Sequence, residues 1–156
     1  MSGADYLVYD VFTATAFGGN QLAVFPDAQA LPEDRLQAIT REFNFSEVTF
    51  VYPPQDAAHT ARVRIFTPTR EVPFAGHPTI GTAIALYDLG RGSDLVLELG
   101  VGPIPCQVGE MGASFTTPNC ILYYFKTVAR SVRYFRRIEA RCWEEEQGQN
   151  PDHACN

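Results

Sequence analysis

The sequence has no apolar run long enough to cross a membrane and no excess of positive charge. No run approaches the roughly 20 apolar residues that a bilayer-spanning helix requires. The formal net charge of −6 argues against a general attraction to nucleic acid phosphates. The N-terminal residues 1–5 contain no basic residue and no apolar core, so we expect no secretory signal there. These absences predict a cytoplasmic protein that has neither nucleic acid nor a membrane as its partner.

The cysteines form no recognisable framework. The four of them, Cys106, Cys120, Cys142 and Cys155, are unevenly spread and include no CxxC pair. We therefore expect a reduced protein without a disulfide framework or a metal site. What the sequence does have is 46% hydrophobic and 19% charged residues over a length of 156, which is typical of one globular domain with a sizeable core.

Short apolar runs and two helical patterns follow one another along residues 1–118. Strands are predicted at 6–12, 22–25, 48–52, 59–66, 95–99, 104–108 and 113–117, from apolar, β-branched or alternating residues. The three- and four-residue spacing of Leu36, Ile39 and Phe43 predicts a helix over 32–43. Residues 78–89 are small or apolar around most of the helical circumference, which predicts a second, buried helix. Many strands around few helices indicate the α+β class.

Three segments interrupt this pattern. Paired glycines in the loop 17–20 permit positive φ angles. Glu47 lies just before a predicted strand, although a single glutamate there is more commonly a solvated loop residue. Gly76 and His77 lie just before the second helix, with Pro78 at its first position, and the free amides of a helix start suit a carboxylate. A single histidine at such a position is more commonly a cap or a packed side chain.

Taken together and in order, these segments resemble the PhzF-like phenazine-biosynthesis family. The matching series is Asp10-Val11-Phe12, Phe17-Gly18-Gly19-Asn20, Ile39-Thr40-Arg41-Glu42-Phe43-Asn44, Ser46-Glu47, Phe66-Thr67-Pro68-Thr69-Arg70-Glu71-Val72 and Gly76-His77-Pro78-Thr79. The resemblance implies a fold shared with diaminopimelate epimerase. In that fold each of two halves wraps a curved, mostly antiparallel sheet around a buried central helix.

The resemblance also implies a cofactor-independent isomerase, with its site in the cleft between the two halves. The acid/base glutamate of the family falls on Glu47, which would move a proton next to an unsaturated or carbonyl carbon of a small carboxylated substrate. The motif histidine falls on His77, which we expect to orient or polarise the substrate. Epimerase relatives carry a catalytic cysteine before the glycine of this motif. Ala75 occupies that position here, which disfavours a two-thiol mechanism.

The same resemblance assigns the substrate-binding residues. Amides around Gly76, at the start of the central helix, would hold the substrate carboxylate. The loop at Gly19 and Asn20 would line the cleft. Ser46 and Thr79 would make lesser contacts with the substrate.

The sequence departs from the family after residue 118. We find no second glycine-rich helix start there, so we expect residues 1–118 to be an N-terminal catalytic half whose second half is absent. A divergent tail occupies 119–156. Apolar residues at intervals of three or four with arginines between them predict a basic amphipathic helix in the tail, namely Ile121, Phe125, Val128, Val132, Phe135, Ile138 and Cys142 with Arg130, Arg133, Arg136, Arg137 and Arg141.

The role of the tail has three competing explanations. It could cover apolar surface, bind a partner or an anionic membrane surface, or result from splicing, truncation or a misread frame. We favour the last, because the change in sequence is abrupt. A half-cleft leaves its acid/base group in water, so we expect little or no isomerase activity from the chain alone. Assembly into a homodimer could rebuild the cleft.

Two other functions compete with the isomerase. The first is a non-catalytic interaction protein that uses the half-domain and the tail helix. The second is nucleic acid binding through the arginines, which the overall acidity and the glutamates at 144–146 disfavour.

Overall fold

A computed structural model of the chain describes residues 3–110, 112–117, 123–124 and 136–139. Ten strands in these residues form one curled sheet. The strands are β1 Gly3–Val11, β2 Asn20–Phe25, β3 Glu47–Tyr52, β4 Ala61–Phe66, β5 Glu71–Val72, β6 Asp94–Leu99, β7 Gly102–Gly109, β8 Gly112–Phe115, β9 Tyr123–Tyr124 and β10 Arg136–Glu139. All seven predicted strands are present with shifted ends, and three strands, β5, β9 and β10, were not predicted.

The sheet is mixed, with antiparallel pairings in the majority. Its order is β10-β1-β2-β3-β4-β6-β7-β8-β9, and β5 pairs with β4 outside this path. Two pairings are parallel, β2 with β3 and β4 with β6. Parallel neighbours need a long crossover connection, usually a helix. Each of the two helices lies in one of these two crossovers, between β2 and β3 and between β4 and β6.

The first helix is shorter than predicted at its start. A 3₁₀ turn, Glu33–Arg35, precedes α1, Leu36–Phe43. The predicted helix over 32–43 is therefore confirmed from Leu36 onwards. Its last residue is Phe43. Asn44 follows as the cap, and its φ of 53° is a left-handed conformation that asparagine tolerates better than most residues.

The second helix, α2, spans Gly76–Asp88 and is mostly buried. It begins two residues earlier than predicted, so Gly76 and His77 are helical and Pro78 is not the first residue. Every residue from 78 to 86 is buried. A Cβ on Gly81 would lie 2.5 Å from a methyl of Leu22 and 2.8 Å from a methyl of Val11. The absence of a side chain at Gly81 therefore lets α2 lie directly against β1 and β2.

The central strands bury both of their faces, in two separate cores. One core packs apolar residues of α2, such as Ile80 and Ile84, against Val11, Leu22 and Val51 of the sheet. The other core lies under α1 and packs Leu36 and Ile39 of the helix against the sheet residues Ala23, Phe25, Val48, Phe50 and Phe66. Because successive strand residues point to opposite faces, β3 contributes to both cores. Its residues 48–51 are all buried.

Two strands lie in the segment that the sequence predicted to be helical. Tyr123–Tyr124 pairs with β8, and Arg136–Glu139 pairs with the first residues of β1. At these positions the predicted tail helix is wrong, because backbone pairing to the sheet replaces helical hydrogen bonding. The other residues of that prediction lie outside the described part of the chain, and the division at residue 118 stays a prediction. In the residues that the structure describes, neither helix is long and apolar enough to span a bilayer.

Candidate functional site

Glu47 is the first residue of β3 and lies on the α2 side of the sheet. Side chains alternate along a strand, so Glu47, Thr49 and Val51 share one face. The hydroxyl of Thr82 in α2 donates a hydrogen bond of 2.9 Å to the Thr49 hydroxyl, and both residues are fully buried. This bond fixes β3 against α2 two residues after Glu47. The Glu47 side chain is 18% exposed and lies at the start of the helix.

His77 is the second residue of α2, and three elements of the sheet surround its ring. The ring hydrogen-bonds the main chain of Gln21 in β2. The ring of Phe12, which follows β1, lies 6.3 Å away between centroids at an interplanar angle of 63°, an edge-to-face arrangement. Glu47 of β3 approaches the remaining nitrogen. The His77 side chain is consequently only 9% exposed.

Glu47 and His77 face each other directly. Glu47 Oε2 lies 3.4 Å from His77 Nε2. Both atoms are buried, and neither has a hydrogen-bond partner among the described residues. Buried polar atoms without partners are uncommon in folded proteins and carry a cost in stability. Two such atoms facing each other at 3.4 Å mark the Glu47–His77 pair as the candidate site.

The surroundings of His77 keep its ring neutral. Burial lowers the pKa of His77, because desolvation penalises the charged imidazolium. The Glu47 carboxylate and the bond to Gln21 act in the opposite direction and favour the protonated ring, but burial outweighs them. A neutral ring that bonds Gln21 through one nitrogen leaves Nε2 free to accept a proton or a hydrogen bond.

The loop between β1 and β2 is shaped by contacts that the sequence did not predict. Positive φ occurs at Phe12 (65°) and Phe17 (66°), whereas neither glycine of the 17–20 loop adopts it, so the predicted reason for the glycine pair is wrong. Gly19 is required for space, since a Cβ there would lie 2.4 Å from the Val11 carbonyl oxygen. The buried carboxylate of Asp10 accepts a 2.7 Å hydrogen bond from the Phe17 amide and ties the loop to β1.

The other predicted substrate-binding residues differ in how exposed they are to solvent. Asn20 begins β2 and is exposed, and Ser46 is exposed directly before Glu47. Gly76 is partly buried at the first position of α2, where a Cβ would meet nothing closer than Phe115 at 3.9 Å. Thr79 is fully buried, and its hydroxyl donates to the Ala75 carbonyl at 2.7 Å. The role of each in substrate binding stays a prediction.

The first turn of α2 provides two amides without helical partners. Ala75 precedes the helix in an extended conformation and supplies no side-chain cap. The Thr79 amide bonds the Ala75 carbonyl, and Pro78 has no N–H. The amides of Gly76 and His77 are left without an intrahelical acceptor, as at any helix start. The positive end of the helix dipole coincides with them, which favours an anion beside the Glu47–His77 pair.

A second polar cluster lies elsewhere on the sheet. Glu98 of β6 accepts hydrogen bonds from the main-chain amides of Asp56 and Gln55 and contacts Nδ1 of His59 at 2.9 Å. These amides, first that of Asp56, lower the pKa of Glu98 to about 2. The cluster fixes the loop between β3 and β4 and has no buried atom without a partner, so we regard it as structural.

No group of three or more His, Cys, Asp or Glu residues that could hold a metal ion occurs in the ranges that the structure describes. Cys106 is a buried thiol whose pKa is raised to about 12 by desolvation, so it is a poor nucleophile. The absence of a cofactor stays a prediction.

Comparison with known families identifies one family that matches most of the chain. The family described as phenazine biosynthesis-like protein, PhzC-PhzF, matches residues 9–141. The chain belongs to this family. The predicted resemblance to PhzF-like proteins is thereby confirmed.

Curated relatives and a solved structure match similar shares of this chain. An uncharacterised isomerase of Mesorhizobium japonicum is 50% identical over 119 residues, which cover 74% of this chain and 39% of the relative. The trans-2,3-dihydro-3-hydroxyanthranilate isomerase of Pseudomonas fluorescens is 44% identical over 110 residues, covering 70% and 39%. The crystal structure of a PhzF family protein from Bacillus anthracis matches with a TM-score of 0.63 and 32% identity, covering 74% and 40%.

The fold extends beyond the PhzF-like proteins. A protein described as a proline racemase from Agrobacterium radiobacter matches with a TM-score of 0.56 at 14% identity, covering 72% of this chain and 41% of that one. This likeness shows a shared fold alone. The chain spans about two-fifths of the length of the curated relatives described here.

Proposed function

We propose that this chain carries one wall of a cofactor-independent isomerase site, in which Glu47 transfers a proton on a small carboxylated substrate. The observation that supports the proposal is the pair of buried atoms without partners, Glu47 Oε2 and His77 Nε2, 3.4 Å apart. An acid/base group must lie within hydrogen-bond reach of the carbon-bound proton that it removes. Glu47 Oε2 makes no hydrogen bond to any described residue, so it is the candidate for that role.

The two side chains take different parts in the reaction. Glu47 removes a proton from a carbon beside an unsaturated or carbonyl group and returns it to another position on the same face of the substrate. One carboxyl group can do both, first as base and then as acid. His77 is neutral, because burial lowers its pKa, and its Nε2 accepts a hydrogen bond from the substrate and orients it.

The start of α2 holds the substrate carboxylate in this proposal. The amides of Gly76 and His77 donate to it, and the helix dipole stabilises its charge. Gly19 and Asn20 line the cleft beside them, and the exposed Ser46 makes a lesser contact. Thr79 has no exposed surface, so it would contribute through the helix backbone.

The proposal includes a specific test substrate. The Pseudomonas fluorescens relative is named for trans-2,3-dihydro-3-hydroxyanthranilate, a small carboxylated molecule, and we propose the same class of substrate here. Fold alone does not fix the substrate, because related folds serve different small molecules.

We also propose that the described fold is one half of a diaminopimelate epimerase-like protein, with the curled sheet wrapped around α2. The close approach of α2 to β1 and β2 at Gly81 supports this arrangement. The facing wall would then come from residues outside this chain, or from a second copy in a homodimer. The chain alone is expected to have little or no activity, because the substrate would be held and oriented from one side only. The expectation that the acid/base group lies in water is wrong, since Glu47 Oε2 and His77 Nε2 are both buried.

The test is a chimera that restores the facing wall. Residues 1–118 are joined to the remaining part of the Pseudomonas fluorescens isomerase, and solvent deuterium incorporation into trans-2,3-dihydro-3-hydroxyanthranilate is followed by mass spectrometry. The chimera is expected to exchange, and Glu47→Gln is expected to abolish exchange. The matched control is Glu42→Gln, an exposed glutamate at the end of α1, which should change nothing. Undiminished exchange in the Glu47→Gln chimera would remove Glu47 from the mechanism.

The described residues give no specific support to the alternative of a non-catalytic interaction protein. That hypothesis relied on a tail helix for binding, whereas the described tail residues 136–139 form a strand. A stable complex that requires residues 119–156 and is indifferent to Glu47→Gln in pull-downs would favour it.

A further inference from the structure

Phe12 occupies an unusual backbone conformation beside the Glu47–His77 pair. Its φ of 65° lies in the left-handed region, which a bulky non-glycine residue rarely enters and which costs conformational energy. Such outliers persist only where the surrounding structure imposes them, and they concentrate at functional sites. Phe12 is also a large apolar side chain that remains 38% exposed.

The left-handed turn changes the side of the sheet on which the Phe12 ring lies. Leu7, Tyr9 and Val11 of β1 all belong to the core on the α2 side. Strict alternation would place the next side chain on the opposite side. The ring of Phe12 instead lies 6.3 Å from that of His77, on the same side as Val11. The backbone strain at Phe12 is therefore what brings the ring to His77.

The loop that follows holds this turn in place. The Asp10 carboxylate accepts a hydrogen bond from the Phe17 amide, and Gly19 packs against the carbonyl oxygen of Val11. Val11 and Asn20 form the last pair between β1 and β2. The residues on both sides of Phe12 are thus fixed by contacts that do not involve its own side chain.

We propose that Phe12 is a positioning residue for His77: its ring packs edge-to-face on the imidazole, fixes the direction of Nε2 toward Glu47, and shields the pair from water. The catalytic meaning of this contact rests on the proposed function. Among the described residues, three groups hold the imidazole: the Phe12 ring just after β1, the Gln21 main chain from β2 and the Glu47 carboxylate from β3. Glu47 is the charged group among them.

Loss of the Phe12 ring should change the pKa of His77. A change in packing elsewhere in the loop should leave that pKa unchanged. Removing the Phe12 ring admits water to the imidazole and reduces the desolvation that lowers its pKa. The Glu47 carboxylate remains and still favours the protonated form. The His77 pKa should therefore rise toward that of an exposed histidine when Phe12 becomes alanine.

The experiment is an NMR titration of the histidine rings in the chain as it exists. The His77 signal is assigned by its loss in His77→Gln, which separates it from His59 and His153. Phe12→Ala is expected to raise the His77 pKa, and Phe12→Leu, which keeps apolar cover, to raise it less. The matched control is Phe17→Ala, which also removes an exposed phenylalanine at positive φ from the same loop and should leave the titration unchanged.

The outcomes are distinguishable from those of the isomerase proposal. A folded Phe12→Ala chain that titrates like the parent, or a Phe17→Ala chain that shifts as much, would overturn the positioning role. If Phe12→Ala does not fold, an unchanged titration in Phe12→Leu overturns it instead. In the active chimera, Phe12→Ala should lower kcat more than it raises KM. Exchange that survives Glu47→Gln would reject the isomerase while leaving the titration result intact.

Discussion

The buried hydrogen bond between Thr82 and Thr49 helps to hold α2 against β3, and substitutions can measure its contribution to the free energy of unfolding. Replacing Thr82 by valine keeps the shape of the side chain but leaves the buried Thr49 oxygen without this donor. A buried polar group that loses its partner costs about 1–3 kcal/mol. For a chain of 156 residues, that corresponds to a fall of about 2–12 °C in the unfolding midpoint.

Replacing the other partner, Thr49, by valine should reduce the stability less than Thr82→Val, because Thr82 lies in a helix. In Thr49→Val, the Thr82 hydroxyl loses its acceptor, but a threonine in a helix can donate to a carbonyl one turn earlier. The double variant removes both hydroxyls, and replacing both partners by apolar groups of the same shape is close to neutral. We therefore expect Thr82→Val to be the least stable of the three and the double variant to recover most of the loss.

The assay is thermal and urea unfolding followed by circular dichroism on the parent, both single variants and the double variant. The coupling energy from this cycle should be about 1–3 kcal/mol and favourable. A double variant that is as unstable as the sum of the two singles would refute the argument, because it would show that the two hydroxyls act independently.

Two further predictions concern the loops. Gly19→Ala should destabilise the fold by about 1–3 kcal/mol, because its Cβ meets the Val11 carbonyl oxygen, whereas Gly109→Ala, with nothing within 4 Å, should change the free energy of unfolding by less than about 0.5 kcal/mol in the same urea titrations. The Glu98 pKa is depressed in the folded chain from 4.5 to about 2 by the amides at 55–56, so its contribution to stability is present above pH 4.5 and is lost as pH falls toward 2. Unfolding midpoints measured across that range should fall less in Glu98→Gln than in the parent, and equal slopes would contradict this.

The pairing of Glu47 with His77 was predicted from the family resemblance, because neither segment alone indicated it. By itself, a glutamate before an apolar strand is more commonly a solvated loop residue. A histidine at a helix start is more commonly a cap or a packed side chain. Their order in the family series made the pair a prediction, and the two side chains lie within 3.4 Å. Their catalytic roles stay predictions.

The contacts that support the pair could not be predicted in the same way. The position of the Phe12 ring depends on a φ angle that the closure of the β1–β2 loop imposes, and no residue-type preference indicates it. Gly19 was predicted for its backbone freedom but is needed for its lack of a Cβ. The bond from His77 to Gln21 is to the main chain, so the residue type at 21 carries no signal of it.

The predicted tail helix illustrates a different limit. A three- and four-residue apolar period indicates a helix only if no partner competes for the backbone. At 136–139 the first residues of β1 offer such a partner, and the described residues pair with it as a strand. Propensity and period are weak guides where a sheet edge is available.

The burial of β3 on both faces constrains how its sequence can change during evolution. Residues 48–51 have no solvent-facing side, so none of them can absorb a polar or larger replacement without disturbing the packing under one helix or the other. The strand that carries Glu47 should therefore accumulate substitutions more slowly than β7, which buries only one face and exposes every second side chain.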